Sequence, residues 1–157
     1  MTKRLLGLSK DGAEVFVLAE NEHMAAHAAV SDAILAEGVG KIEISGRPFL
    51  MDTVEFDRVI GADDCVAVTN VDDIRLLQRK ARRGLSRIVF NREADPTRLL
   101  TVGICRDDDG LLTVFTAFFG AKAPKEPWDC KTDAERAESD AFWATHALVF
   151  NPEALED

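Results

Sequence analysis

A short loop in the C-terminal third of the chain combines two acids and an indole with two prolines. Glu126, Trp128 and Asp129 lie beside Pro124 and Pro127 in the stretch APKEPWD. Proline restricts the backbone, and a loop gains from that restriction when it must hold particular side chains in place. A carboxylate can exchange a proton, and an indole can stack on a planar ligand. The stretch therefore predicts a binding or catalytic site.

His146 is the candidate partner for these acids. It is the only histidine in the C-terminal two thirds of the chain, and it follows Glu135 and Ser139 at helical spacing in the segment that we predict as the last helix. An imidazole near a helix end is either a packing or capping residue, stabilised by the helix dipole, or a general acid or base. In the second case Glu126 or Asp129 supplies the other proton-transfer group.

Basic residues are concentrated in the middle of an acidic chain. The net charge is −9, yet residues 75–98 hold eight lysines and arginines against Glu93 and Asp95. A basic band of this kind suits a limited anion such as a few phosphates, whereas the net charge disfavours a broad nucleic-acid binder. The alternative is a solvated face neutralised by acidic neighbours. The eight residues are Arg75, Arg79, Lys80, Arg82, Arg83, Arg87, Arg92 and Arg98.

The segment VDDIRLLQRKARRG, residues 71–84, is predicted as the clearest helix in the chain. Thr69 or Asn70 can cap it, and Gly84 can end it. One stripe is apolar and another is basic, so the helix would pack on one side and present cations on the other. We expect Arg79, Arg82 and Arg83 to bind phosphate.

Short turns dominate the rest of the pattern. RLLGLS and AEVFVLA flank a Lys-Asp-Gly turn and predict an N-terminal β-hairpin, and residues 21–38 follow as a helix. Three consecutive strands are predicted from SRIVFN, RLLTVGIC and LLTVFTAFF. A final helix is predicted at residues 131–150, with Thr132 as its cap. Hairpin turns rather than helices join the three strands, so the fold class is α+β, with an antiparallel meander, packed helices and an N-terminal β-hairpin and helix.

The 157 residues suffice for one domain, with a candidate boundary at residues 60–64. Residues 1–60 either form a ββα-like subdomain or extend the sheet of residues 63–150, and residues 151–157 form a loose acidic tail. The N-terminus lacks the apolar core of a signal peptide and no run approaches the length of a membrane span, so we expect a cytoplasmic protein without membrane partners.

Neither metal nor cofactor is predicted. Cys65, Cys105 and Cys130 are odd in number and widely separated, which favours free thiols over disulfides or a zinc site. His23 and His27 stand four apart, a spacing that can chelate metal, but no HExxH motif accompanies them, so surface or half-buried histidines are favoured.

The order of these segments resembles a known superfamily. The resemblance rests on the order of a predicted helix rich in arginine, the strand SRIVFNRE, and then LLTVGI, LTVFTAFFG, APKEPWD and ESDAFWATHALVF. With that order, residues 63–150 are similar to the phage- and toxin-associated branch of the barnase, EndoU, colicin and RelE-type ribonucleases. The resemblance covers somewhat over half of the chain. It implies a curved antiparallel sheet, preceded by helices, whose concave face binds RNA.

The resemblance implies metal-independent RNA cleavage. That reaction needs a base for the ribose 2′-hydroxyl, an acid for the leaving 5′-oxygen, and donors that stabilise the phosphorane. The catalytic candidates are His146, Glu126 and Thr116, whose hydroxyl can donate a hydrogen bond. The substrate-binding candidates are Arg79, Arg82, Arg83, Trp128 and Asp129, with a base stacked on Trp128. Several relatives use tyrosine in catalysis, and this chain has none.

Each candidate also has a structural interpretation. Thr116 is a common strand residue, Trp128 can cover the edge of a core, and Glu126 and Asp129 can cap a helix or pair with nearby lysines. The leading hypothesis is an RNA endonuclease of toxin or phage-effector type. The alternatives are a non-catalytic module that binds RNA or a protein, and an acidic immunity or antitoxin partner of a cationic toxin.

Overall fold

The computed structural model describes residues 3–18, 30–80 and 82–152. These residues confirm the mixed α+β class, and none of the helices among them is both long and apolar enough to cross a membrane. The elements in chain order are β1 Lys3–Leu8, β2 Glu14–Leu18, α1 Asp32–Val39, β3 Phe49–Glu55, β4 Gly61–Asp63, β5 Cys65–Ala67, β6 Ile74–Gln78, β7 Leu85–Val89, β8 Asp95–Thr97, β9 Leu99–Arg106, β10 Leu112–Phe119, a 3₁₀ helix Pro127–Asp129, α2 Asp133–Trp143 and β11 His146–Val149.

The chain forms two compact units, and each is built from two separate stretches. Unit 1 comprises residues 1–62 and 96–122, and unit 2 comprises residues 63–95 and 123–157. The chain passes from unit 1 to unit 2 after residue 62. Residues 96–122 differ from the prediction, which assigned them to the domain of residues 63–150. They belong to unit 1 because β9 and β10 pair with β3 and β2.

Unit 1 is organised around a five-stranded sheet in the order β1-β2-β10-β9-β3. The predicted N-terminal hairpin is present as antiparallel β1 and β2, and the hairpin of β9 and β10 turns at Gly110, whose φ of 79° favours glycine. A short parallel pairing of β2 with β10 joins the two hairpins. The N-terminal hairpin therefore extends this sheet, which was one of the two predicted alternatives.

One face of the sheet packs under α1. Ser31 caps this helix by accepting a hydrogen bond from Ile34 N, while Leu35 and Val39 are buried among sheet residues such as Val102 and Ile104. The helix predicted for residues 21–38 is described only from residue 30, so His23 and His27 lie outside the described residues. The helix ends at Val39 and is capped by Gly40, one residue beyond the predicted end.

Unit 2 contains a four-stranded sheet in the order β5-β11-β7-β6. The predicted helix of residues 71–84 is wrong, because residues 74–78 form the strand β6. This strand pairs antiparallel with β7, with Ile74 opposite Val89 at one end and Gln78 opposite Leu85 at the other. Its apolar residues gain more from a partner strand and core than from an isolated helical turn, so tertiary pairing overrides local helix propensity. We call β6, β7 and the turn between them the basic hairpin.

β7 also changes the predicted meander. The three late strands were expected to be consecutive neighbours, but only β9 and β10 are adjacent in unit 1. β7 belongs to the sheet of unit 2, where β11 runs parallel to it with Leu148 opposite Ile88. The long connection between β7 and β9 permits this separation, because only a tight turn forces neighbouring strands to pair.

The final helix is shorter than predicted. Thr132 caps α2 by accepting from Glu135 N, as expected, but the helix ends at Trp143 and Ala144 caps its C-terminus. His146 opens β11 and is therefore not on the helical stripe of Glu135 and Ser139. The apolar run at the end of the predicted helix pairs as a strand between β5 and β7 instead.

Asp107 organises the turn between β9 and β10. Its carboxylate accepts from Leu111 N at 3.0 Å, Asp109 N at 2.9 Å and Thr113 Oγ1 at 2.8 Å, and it forms an ion pair with Lys3 on β1. The hydrogen bond from Lys3 is the largest cause that holds the pKa of Asp107 well below its usual range. One carboxylate thus connects the central hairpin to the edge strand of unit 1.

We expect Asp107→Asn to lower the thermal stability of the protein at pH 7. A depressed folded-state pKa contributes stability above the ordinary Asp pKa of about 4, and that contribution is lost as the pH falls from there through the folded-state value. Thermal melts between pH 7 and pH 2 should therefore show the variant and wild type converging in acid. Asp108→Asn, at the exposed neighbouring position, is the matched control. Equal melting temperatures for the two variants at pH 7 would refute this role for Asp107.

Candidate functional site in unit 2

Unit 2 holds nearly all of the side chains predicted to form the site. The exception is Thr116, which lies on β10 in unit 1, where its methyl group packs against Gly103. Thr116 is buried, as expected of a strand residue that packs. The unit 2 residues are Arg79, Arg82, Arg83, Glu126, Trp128, Asp129 and His146.

An ion pair joins the basic hairpin to the proline-rich loop of residues 123–130. Arg79 Nη2 donates to Glu126 Oε2 at 2.8 Å, and Arg79 Nε donates to Ser86 Oγ at 3.0 Å. Ser86 is fully buried, and the side chains of Arg79 and Glu126 are only 23% and 10% exposed. The low exposure strengthens the attraction relative to a surface pair. Glu126 therefore pairs with a distant arginine rather than with a lysine of its own loop.

The helix α2 fixes the backbone of this loop. Ser139 Oγ donates to Lys125 O at 2.5 Å, and Trp143 Nε1 donates to Pro124 O at 3.2 Å. Ser139 and Trp143 are the buried residues of α2, one turn apart on the same side. Pro127 begins the 3₁₀ helix, and Asp129 N donates to Glu126 O at 2.9 Å. Two buried side chains thus hold the carbonyls that immediately precede Glu126.

Trp128 packs directly on the turn of the basic hairpin. A Cβ atom placed on Gly84 would lie 2.2 Å from Trp128 Cγ, so only glycine fits beneath the indole. Within the described part of the chain, the buried indole nitrogen of Trp128 has no hydrogen-bond partner. A buried donor without a partner costs free energy, so packing of the ring on Gly84 outweighs that cost.

Cations at the tip of the hairpin are far more exposed than Arg79. Arg83 lies 3.6 Å from Asp129, but its side chain is 85% exposed. A long and exposed pair of this kind contributes little to stability. Lys80 and Arg82 are exposed as well. The hairpin tip therefore presents positive charge to solvent beside the proline-rich loop.

A cleft of about 370 Å³ opens between the hairpin, the loop and α2. Leu76 and Arg87 stand directly opposite each other on β6 and β7, so their side chains share one face of the hairpin. Trp128 and Trp143 contribute aromatic surface to the opposite wall. The cleft is mostly apolar, with a cation and a carboxylate as its polar groups. The lining residues used below are Leu76, Leu85, Arg87, Glu126, Trp128 and Trp143.

His146 is held by its neighbours at the start of β11. Its ring stacks on Phe142 with centroids 3.9 Å apart, and Nδ1 lies 2.9 Å from Phe142 O and 3.0 Å from Thr145 Oγ1. Because a carbonyl can only accept, we assign the proton of the neutral ring to Nδ1, which leaves Nε2 as the basic nitrogen. The carbonyl oxygen of His146 accepts from Arg87 Nε at 3.2 Å, which connects this residue to a side chain of the cleft.

Acidic groups surround Cys65 on the neighbouring strand β5. Burial raises the pKa of the Cys65 thiol to about 12, and the negative charges of Asp63, Asp64 and Glu126 act in the same direction. Burial likewise raises the pKa of Asp63, whereas a hydrogen bond from Cys65 N and the charge of His146 oppose that rise. This thiol is therefore protonated at neutral pH and unsuited to nucleophilic chemistry.

Sequence reasoning missed four residues of the cleft. Leu76, Leu85 and Arg87 face the same cleft only because residues 74–89 form a hairpin, whereas the helical assignment of residues 71–84 separated them. Trp143 was placed on a helix, correctly, but its contact with Pro124 O depends on the path of the loop. The strand predicted from SRIVFN is present as β7, where Ser86 and Ile88 are buried while Leu85 and Arg87 on the other face line the cleft.

We expect Gly84→Ala to destabilise the protein by about 1–3 kcal/mol, the usual cost of forcing extra volume into a packed site. The added methyl group must displace the Trp128 ring. Chemical denaturation of the wild type, Gly84→Ala, Trp128→Ala and the double variant measures the coupling between the two sites. Gly84→Ala should lower the free energy of unfolding much less in the Trp128→Ala background than in the wild type. An equal cost in both backgrounds would mean that the indole is not the source of the strain.

We expect Cys65 to be alkylated slowly in the folded protein. With a pKa of about 12, its thiolate fraction stays small even at pH 9. Iodoacetamide labelling followed by peptide mass spectrometry gives the rate at each cysteine, and urea-unfolded protein supplies the reference rate. Rapid labelling of Cys65 at pH 8 in the native protein, at the unfolded rate, would contradict the assignment.

Comparison with known proteins identifies a related fold and no family. No protein-family model matches the chain, and no curated protein matches it. The crystal structure of a conserved hypothetical protein from Toxoplasma gondii ME49 is similar, with a TM-score of 0.53 and 11% sequence identity over 82% of this chain and 90% of that chain. At this identity the likeness concerns the fold alone, and the resemblance to the ribonuclease superfamily stays a prediction.

Proposed function

We propose that unit 2 binds RNA through the basic hairpin and cleaves it without metal by general acid–base catalysis. The observation that carries the proposal is the Arg79–Glu126 ion pair, because it brings a carboxylate and Trp128 beside the most cationic segment of the chain. In this proposal Glu126 takes the proton of the ribose 2′-hydroxyl, and His146, in its doubly protonated form, donates the proton of Nε2 to the leaving oxygen.

Charge distribution supports RNA as the ligand. The basic hairpin holds six cations and no acid between residues 74 and 89, within a chain whose net charge is −9. The exposed cations of the tip, Lys80, Arg82 and Arg83, suit phosphate groups, and the adjacent indole suits an unpaired base. Because acids flank this region, binding should be confined to the hairpin rather than spread over the surface.

Side-chain environment supports the proposed proton transfers. Arg79 holds the carboxylate of Glu126 at the wall of the cleft, so the carboxylate is oriented before a ligand arrives. Phe142 O fixes the tautomer of His146 and leaves Nε2 to exchange a proton. Arg87 donates to the backbone of His146 and lines the cleft, which offers a cation for phosphorane charge.

A non-catalytic binding module is the second candidate. It is favoured by the engagement of Glu126 with Arg79, since Oε2 of the carboxylate that would take the proton already accepts a hydrogen bond from Arg79. Thr116 also lies in unit 1 rather than in the unit that holds the other candidates. This module would bind RNA with salt-dependent affinity and release it intact.

The biological setting is a further part of the proposal. A toxin or phage effector that acts on cytoplasmic RNA would need a cognate antitoxin, whereas an immunity protein would itself mask a cationic toxin. The exposed basic hairpin favours the first arrangement, because an acidic inhibitor has a defined cationic surface to cover. Copurification with a basic protein rather than an acidic one would support the immunity alternative.

The wild type should cleave tRNA or ribosomal RNA in EDTA. We expect Glu126→Gln and His146→Ala to lower the rate at least about a hundredfold, the usual contribution of a general acid or base. Gel analysis gives the rates, and fluorescence anisotropy with a labelled single-stranded RNA gives the affinity. Both variants should still bind, because the tip cations remain. Binding without cleavage by the wild type would select the non-catalytic module.

Charge reversals locate the binding surface. Arg83→Glu should weaken RNA binding and lower the salt dependence of the affinity by about one phosphate contact. Arg136→Glu, on an exposed turn of α2 in the same unit, makes the same change of charge and serves as the control. Equal losses in the two variants would show a general electrostatic effect, and the absence of RNA binding by folded wild type would refute both candidate functions.

A further inference from the structure

The strand β6 lies at an edge of the sheet in unit 2. Within the described residues it pairs only with β7, because the strand order is β5-β11-β7-β6. An edge strand leaves alternate backbone N–H and C=O groups available to a further strand. The opposite edge is β5, which has three residues and offers fewer such groups than the five residues of β6. β6 is therefore the edge of this sheet best suited to pairing.

Two exposed leucines stand beside this edge. Leu76 on β6 is 59% exposed and Leu85 on β7 is 52% exposed, and both line the cleft that Trp128 and Trp143 close from the other side. Apolar walls of this kind suit a large apolar side chain. The volume of about 370 Å³ leaves room for one such side chain.

Charge selects the class of partner. The basic hairpin has no acid of its own. Arg75 pairs with Asp73 at 3.1 Å just before β6, but Arg87 lines the cleft without a carboxylate partner among the described residues, and Lys80 and Arg83 are exposed at the tip. A second copy would bring its own basic hairpin against this one, and the repulsion between like charges disfavours a symmetric dimer through this edge. An acidic strand would neutralise the same charges.

We infer that β6 and the adjacent cleft form a docking surface for an extended acidic segment of another protein, which adds as a strand to β6 and inserts one large apolar side chain between Leu76, Leu85 and Trp128. Backbone hydrogen bonds to the edge would supply affinity, the cleft would select the anchor, and the cations would select acidic flanks. The inference rests on the strand edge and the cleft, and it does not require that unit 2 cleave RNA.

Intrinsic fluorescence offers a direct test. The chain has two tryptophans and no tyrosine, and both tryptophans line the cleft, so its emission reports this surface alone. The probe is a short peptide that alternates glutamate with valine and carries one central phenylalanine. Its addition to the full chain should change the tryptophan emission saturably, and anisotropy of the labelled peptide should give the same affinity.

Variants of the protein and of the peptide decide the outcome. Leu76→Glu and Leu85→Glu alter exposed side chains and should weaken peptide binding at least about tenfold, whereas Val71→Glu, at a position that is 83% exposed in the same unit, should not. Replacing the phenylalanine with alanine, or methylating a central peptide nitrogen, should also weaken binding. No peptide binding, or equal binding by Leu76→Glu and wild type, would overturn the inference. So would a single-stranded RNA that changes the emission when the peptide does not.

Discussion

The Arg79–Glu126 ion pair is the interaction on which the arrangement of unit 2 depends. It joins the basic hairpin to the proline-rich loop across 47 residues of sequence. Both partners are mostly buried, and Ser86 occupies the second donor group of Arg79. Breaking a buried pair leaves an uncompensated charge, which costs more than the pair itself contributes. The loop therefore has one position in which Glu126 is satisfied, and that position places Trp128 on Gly84.

This constraint has consequences for chemistry as well as for folding. A carboxylate held by an arginine is preorganised, but one of its oxygens is already occupied by that neighbour. Arg87 lacks a carboxylate partner among the described residues and donates only to the carbonyl oxygen of His146. Arg79, which does not line the cleft, is thus committed to structure, whereas the terminal nitrogens of Arg87 in the cleft wall have fewer competing partners. Arg87 is therefore better placed than Arg79 to bind a ligand, although the sequence had predicted Arg79 for that role.

Sequence reasoning was most accurate where local chemistry determines the structure. The hairpin of β1 and β2, the hairpin of β9 and β10, and the N-terminus of α2 follow from turn and capping residues that act over a few positions. It failed for β6, whose helical pattern in residues 71–84 was overridden by pairing with β7. It also placed His146 on a helix, because β5 and β7, which pair with β11, are distant in sequence. The ion pair itself had no signal in sequence, since neither residue is near the other.

The change from helix to hairpin alters what the arginines can do. On a helix, Arg75 and Arg79 would stand about 6 Å apart on one stripe and offer a continuous row of cations to a phosphate backbone. On a strand, residues four apart are separated by about 13 Å, and Arg79 is already paired with Glu126. Dense positive charge is then confined to the tip, while the edge of β6 presents exposed leucines, and Arg75 and Arg79 are each paired with a carboxylate. Such an edge matches the alternating side chains of an extended strand better than the regular charge of a nucleic acid, so the tip and the edge are suited to different ligands.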